Sequence, residues 1–506
     1  MIMHKIYLVL SFFLISCVSP VFAVGGDAQS AQPPGMDTQA RKPEAILQAP
    51  LATGISPTET QPAIWTARQA VHFALTHSPD SQVATQRIEA AKAIMNQVKA
   101  SFYPQIGLSA EYAQTNNPMY SFGNILNQGQ FNQSIDFNDP GRTDNLNLRA
   151  GLQYRLYNGG RDQAGVKAAE AGIAVSEMQQ IAVSAQLGFE VVRTFHTIAQ
   201  AMDMLEAHQA SIKAIDSSLV VARARFEAGD LLKADLLNIE VQESMAKENM
   251  ILAEHSLELA RKAFLNLLGL REGQVLIDTV QESEQELPED RNYVKRPELK
   301  GIEGQIEAAE AELRVAEGGR YPTIDGLAHY QYDRGFVLNG SGDSWMGGVR
   351  VNYPLFTGGK TEADIASAKA KLARLAAEKQ KLELAMDFEV QQADLAYKQA
   401  EQRLQVTEKM FEQALESARL SRIRFKEGVI LASDLMNIET RLTEAQVRQT
   451  VAKAAIRVAV ADLRRATGLS QFLGYHPRFT VTLSAISSRY YGAPSIFTIY
   501  LSGCAP

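Results

Sequence analysis

The sequence predicts a mixed fold in which short transmembrane strands and very long helices alternate, set out twice along one chain. Three observations carry that expectation. Segments of about ten residues alternate apolar and polar side chains, the pattern of a membrane β-barrel strand. Two stretches, 161–228 and 360–427, run without an internal proline. Finally, Arg225-Phe-Glu-Ala-Gly-Asp-Leu-Leu-Lys-Ala-Asp-Leu-Leu-Asn-Ile-Glu240 returns as Arg424-Phe-Lys-Glu-Gly-Val-Ile-Leu-Ala-Ser-Asp-Leu-Met-Asn-Ile-Glu439.

The repeat holds its register. Gly229 to Gly428, Asp235 to Asp434 and Glu240 to Glu439 are each 199 positions apart. The same interval relates Leu156-Tyr-Asn-Gly-Gly-Arg161 to Leu355-Phe-Thr-Gly-Gly-Lys360, and Gly269-Leu270 to Gly468-Leu469. Earlier pairs are 218 apart: Pro79 with Pro297, Ile88-Glu-Ala-Ala91 with Ile306-Glu-Ala-Ala309, and Tyr103-Pro104 with Tyr321-Pro322. The 19-residue difference places an insertion between Pro104 and Leu156. Two Ala-rich helices that matched by chance would not keep step across turns and loops, so an internal duplication is expected.

At the N-terminus, Lys5 precedes the apolar run Ile6 to Ile15, with Val21-Phe-Ala23 beyond it. That is the pattern of a secretory signal over residues 1–23. Leu14-Ile-Ser-Cys17 also resembles a lipobox, in which Cys17 would be lipidated; Pro20 favours ordinary cleavage. Either route exports the chain. The only other cysteine is Cys504, so no disulfide framework is indicated. Residues 24–62 are rich in Ala, Gln, Pro, Gly and Thr and read as a disordered or extended linker.

Helical periodicity begins near Ile64-Trp65 and breaks at Ser78-Pro79. It resumes at Asp80, a residue suited to capping, and runs to about Ser101. The first strand pair is expected at about 104–115 and 146–157, joined by a polar Asn/Gln/Gly loop over 116–144. The second is expected at about 322–333 and 346–356, with Gly326 suggesting a bulge. Each pair ends in Gly-Gly and leads into a long helix. About 68 residues at 1.5 Å each give roughly 100 Å. Gly229 and Gly428 then suit the positive φ of a helix C-terminus. Each repeated stretch therefore reads as helix, tight turn, helix, with the tips at about 225–240 and 424–439. The repeats span 63–269 and 297–469, joined by an acidic segment, 270–296. Residues 470–506, including Phe479-Thr-Val-Thr-Leu483, have no counterpart in the first half and read as an extension.

Enzymatic chemistry finds no support. Gly359-Lys360-Thr361 resembles the end of a phosphate-binding loop, but that motif needs glycine where Pro354 stands. Gly340-Ser-Gly-Asp-Ser lacks the third glycine of a dinucleotide fingerprint. The eight histidines are scattered, with no His-x-x-x-His or Cys-x-x-Cys pair to build a metal site. No cofactor is expected. A net charge of −7 rules out a basic nucleic-acid binder.

Four strands cannot close a barrel alone, and open edges in lipid leave backbone groups unsatisfied. Three chains supply twelve strands, so the expected fold is a trimeric twelve-stranded barrel continued by a coiled-coil helical tunnel. These features resemble the TolC-type outer-membrane efflux proteins over residues 64 to 469. The resemblance rests on the two Pro-ended helices before strands, the paired Leu-aromatic-x-Gly-Gly turns and the paired Phe-x-x-Gly-x-x-x-x-x-Asp hairpins.

That resemblance implies a homotrimer in outer-membrane lipid, with its helices in the periplasm. The partners it implies are a periplasmic adaptor and an inner-membrane pump, in tripartite efflux or type I secretion. It also implies that the hairpin ends form a constriction, with Asp235 and Asp434 at acidic positions. The hairpin residues Phe226, Gly229, Asp230, Leu231, Phe425, Gly428, Val429 and Ile430 become the adaptor contacts. Two departures stand out. The Tyr and Arg of the family's closed-tip latch fall at Phe425 and Leu431, and a second ring acid falls at Asn437. The same charged latch is therefore not expected. Asp235 and Asp434 have a plainer reading as caps of the returning helices, and Phe226 and Phe425 as packing staples. The competing function is a structural periplasmic coiled-coil protein or adaptor with no channel, which the two strand pairs argue against.

Overall fold

A computed structural model describes residues 62, 64–279 and 285–472. The signal segment with Cys17, nearly all of the linker, and the extension beyond Phe472 with Cys504 lie outside the described residues. In order, the chain forms α1 (Ala67–His77), α2 (Pro79–Lys99), β1 (Gln105–Thr115), α3 (Pro118–Asn127), β2 (Thr143–Tyr157), α4 (Arg161–Glu227) and α5 (Lys233–Leu267). It continues with α6 (Pro297–Glu317), β3 (Thr323–Arg334), β4 (Ser341–Asn352), α7 (Lys360–Lys426) and α8 (Ala432–Ala466). The two halves present the same sequence of major elements. α2 and α6 each have 21 residues, α4 and α7 each have 67, and α5 and α8 each have 35.

The four strands form one antiparallel sheet in the order β1-β2-β3-β4. The register aligns apolar side chains across all four strands. Leu108 pairs with Ala150, Ala150 with Tyr330, and Tyr330 with Trp345. One position along each strand, the other face carries Ser109, Arg149, Gln331 and Ser344 in register. That face is tied by polar bonds: Arg149 donates to Gln331 at 2.8 Å, and Asn147 donates to Asp333 at 2.8 Å. The apolar face is bare, with Leu108 84% and Trp345 78% exposed. A soluble domain would bury such a face; a membrane strand presents it to lipid. Among the described residues no helix is long and apolar enough to cross a membrane.

Four local expectations need correction. The last strand runs Ser341–Asn352 rather than 346–356, so Tyr353 and Leu355 lie beyond it. The loop 116–144 is not all irregular, because α3 occupies part of it. Asn117 caps α3 by accepting from the Met119 N–H at 3.1 Å, and Pro118 takes the first helical position, where its missing N–H costs nothing. The bulge lies in β2, between Arg155 and Tyr157, not at Gly326, which pairs regularly with Tyr154 and Val349. Leu327 therefore falls on the polar face. Ser78 rather than Asp80 caps α2, accepting from the Asp80 N–H at 3.4 Å, with Pro79 first in the helix.

The main core lies midway along α4. Phe195 and Phe264 are 6.4 Å apart between ring centroids, and Trp65 meets Phe264 edge-on at 6.0 Å and Phe73 at 5.4 Å. Trp65 is held by the connecting segment: it donates to the Leu276 carbonyl at 2.8 Å and accepts from Asp278 at 2.9 Å. Large aromatic surfaces removed from water make this the most heavily buried belt of the helical part. Here the short helices meet end to end. A Cβ on Gly269, just past α5, would stand 3.0 Å from Pro79 Cδ at the start of α2. A Cβ on Gly468, just past α8, would stand 2.8 Å from the backbone N of Arg296, beside α6. Arg296 is buried there and donates to Glu298 at 2.8 Å and to Glu389 of α7 at 2.6 Å.

Candidate functional site

Each long helix ends in the same stop. The Gly229 N–H donates to the Phe226 carbonyl at 3.0 Å and the Asp230 N–H to the Arg225 carbonyl at 2.8 Å. The second hairpin repeats this with Gly428 to Phe425 at 3.1 Å and Val429 to Arg424 at 2.9 Å. The paired bonds form a Schellman motif, and the glycines adopt φ of 79° and 77° where a Cβ would be strained. After the turn, α5 and α8 begin without a side-chain cap, at Leu232 and Leu431.

Asp235 and Asp434 therefore do not cap these helices by hydrogen bonding. Both lie in the first turn of the returning helix, where a carboxylate is favoured by the helix dipole. Asp235 is half-buried, while Asp434 and Asn437 are exposed. Asp230 and Val429 are also exposed at the tips, and Leu231 and Ile430 are half-buried against the tip core.

The two hairpins pack on each other through Ile215, Leu219 and Ala222 of α4, Ile239 of α5, Phe425 of α7, and Leu435 and Met436 of α8. Phe425 is 2% exposed and serves this packing, whereas Phe226 is 39% exposed. The staple reading thus holds for Phe425 alone.

Arg225 bridges the hairpins. Its guanidinium donates to the Phe425 carbonyl at 3.2 Å and to the Asp230 carbonyl at 3.4 Å, and lies 5.3 Å from the Phe425 ring centroid. Cation–π and hydrogen bonding act together here. Below the tip, Arg422 donates to both oxygens of Glu439, at 2.5 and 2.7 Å. That bond pushes the Arg422 guanidinium up from its ordinary value. The matching pair in the first hairpin, Arg223 and Glu240, keeps a single contact of 3.4 Å.

Neither Arg225 nor the Arg422–Glu439 pair was singled out by motif reading. Their signal was nonetheless present, since Arg225 and Arg424 open the two repeated stretches and the Arg–Glu pairs recur at the same interval. Among the described residues, no group of His, Cys, Asp and Glu could hold a metal ion. The Gly358-Gly359 turn simply starts α7 in the left-handed conformation.

Similarity to known proteins agrees with this geometry. A family model described as outer membrane efflux protein matches residues 70–270 and 292–469. Protein CyaE of Bordetella pertussis is 23% identical over 411 residues, covering 79% of this chain and 83% of its own. Outer membrane protein TolC of Vibrio cholerae is 25% identical over 426 residues, covering 80% and 92%. The crystal structure of the outer membrane protein VceC from Vibrio cholerae superposes with a TM-score of 0.66 at 19% identity, covering 80% of this chain and 97% of that one. With matched halves, a lipid-facing sheet and a model match over most of its length, the chain belongs to the outer membrane efflux protein family, an outer-membrane channel protein whose helices lie in the periplasm.

Proposed function

We propose that the chain is the outer-membrane exit duct of a tripartite efflux or type I secretion system. Three copies close a twelve-stranded barrel, and their helices continue it as a periplasmic tunnel. The duct is passive; a periplasmic adaptor docks on the hairpin ends, and an inner-membrane pump supplies the energy. One observation carries the reading: a four-stranded sheet with a bare apolar face and two free edges, at β1 and β4, opens into two 67-residue helices. In lipid each unpaired backbone group on those edges costs several kcal/mol, on the order of a lost hydrogen bond in hydrocarbon. Pairing β4 with β1 of the next copy removes that cost.

The hairpin ends supply both constriction and docking surface. Asp230, Leu231, Val429 and Ile430 offer side chains to an adaptor, while Gly229, Gly428 and Phe425 set the shape of the tips. Three copies each of Asp235 and Asp434 form a negative constriction that favours cations. The reading is tested by single-channel conductance in planar bilayers. Discrete, cation-preferring openings support it. Asp434→Lys should then weaken the preference; unchanged selectivity would remove Asp434 from the constriction. A trimer that stays silent even after glycines loosen Phe425 to Ile430 would defeat the duct itself.

A further inference from the structure

The two hairpins correspond position for position, yet they are covered unequally. Phe425 is 2% exposed and its counterpart Phe226 39%; Met436 is 4% and its counterpart Leu237 48%. Glu439 is 3% exposed, while the Glu240 side chain is 38% exposed. These three differences fall on one face, the face by which the second hairpin packs on the first. The opposite face shows the reverse. Ile239 of the first hairpin is fully buried against the second, and its counterpart Ile438 is only half-buried. Arg225 is engaged with Phe425, but its counterpart Arg424 stands exposed.

The first hairpin thus leaves bare the surface that the second has covered, and the second leaves bare the surface that the first uses to cover it. Two such surfaces cannot meet within one chain. They are complementary between copies, head to tail, and a head-to-tail contact closes a ring when its rotation divides a full turn.

We infer that Arg424 of one copy lies over the ring of Phe226 of the neighbouring copy and donates to its carbonyl, repeating between copies the Arg225–Phe425 contact. Leu237 and Glu240 of that neighbour take the buried places that Met436 and Glu439 hold inside each chain. The occupant is a second copy of this chain because its bare surface is the counterpart of the one that already fits within each chain. Lys233 stands where the second hairpin has the buried Ala432, so the seam between copies carries a charge that the inner seam lacks. The inference rests on the ring-forming reading above and names the contact that closes the tips.

The test uses the full-length protein in its native membrane, with p-benzoylphenylalanine replacing Phe226. This residue keeps the aromatic ring and the backbone carbonyl. Irradiation should give covalent dimers and trimers, and peptide mass spectrometry should join position 226 of one chain to the end of α7, around Arg424, of another. The same probe at Phe425 should cross-link within one chain, to the end of α4. Trimers that survive purification while position 226 links to no second chain would overturn the contact and leave the duct reading standing. A protein that is monomeric before irradiation would overturn both.

Discussion

Arg422 and Glu439 form a two-bond ion pair across the second hairpin, with the Glu439 side chain only 4% exposed. A carboxylate so far from water depends on its partner. Arg422→Ala would leave it buried and unpaired, a change that costs on the order of 3 kcal/mol. Adding Glu439→Gln removes the stranded charge, so the double variant should recover part of that loss. Thermal unfolding of the purified protein checks the order. A double variant no more stable than Arg422→Ala alone would show that the stranded carboxylate is not what costs.

Gly229 and Gly468 share a left-handed conformation but not its surroundings. A Cβ on Gly229 meets nothing within 4 Å, so Gly229→Ala should cost only the backbone strain, about 1–2 kcal/mol. A Cβ on Gly468 meets the backbone of Lys295 and Arg296 at 2.8 Å, atoms fixed by the start of α6. Gly468→Ala should therefore destabilise clearly more and open the joint between α8 and α6. Limited proteolysis around residue 296, with melting curves, separates the two variants.

Acid should weaken the helical part through His196. Burial, helped by the Arg457 charge, pushes His196 down to about 4 from an ordinary 6.5. The unfolded chain binds a proton in that window and the folded chain does not. Stability is therefore intact above pH 6.5 and falls as the pH drops towards 4, by up to about 3 kcal/mol from this group. His196→Gln should flatten that slope in melting temperatures taken stepwise across the window. Parallel curves for both proteins would assign the acid sensitivity elsewhere.

The bare sheet face can be tested by charge. Trp345→Arg places a guanidinium on the apolar face, at a cost of about 2–4 kcal/mol if the site is deep in lipid. Ser344→Arg adds the same charge one position away, on the polar face. The first should reduce the folded protein recovered from the outer membrane and the second should not. Equal recovery would contradict the assignment of faces.

Much of this was legible in the sequence because it rests on local chemistry. Gly229 and Gly428 announce their turns, proline-free stretches announce α4 and α7, and two-residue alternation announces the strands. Constant intervals between matched residues bind these into halves. What escaped depends on tertiary contact or on a weak local signal. α3 hides in polar composition, marked only by Asn117-Pro118. The bulge sits in β2 because the strands' pairing decides where an extra residue fits, and Gly326 alone could not show that. Phe226 and Phe425 read alike in sequence, since repetition cannot reveal which copy of a surface is covered. Arg225 gains its role only where the second hairpin brings the Phe425 carbonyl and ring beside it.

The most direct test of the central claim is the mass of the purified, membrane-extracted protein by native mass spectrometry. Three chains per particle is the expected result, because three copies of the four-stranded sheet supply the twelve strands of the proposed barrel. A stable particle of one or two chains would contradict it; a single chain would leave the β1 and β4 edges without the partners that a membrane barrel requires.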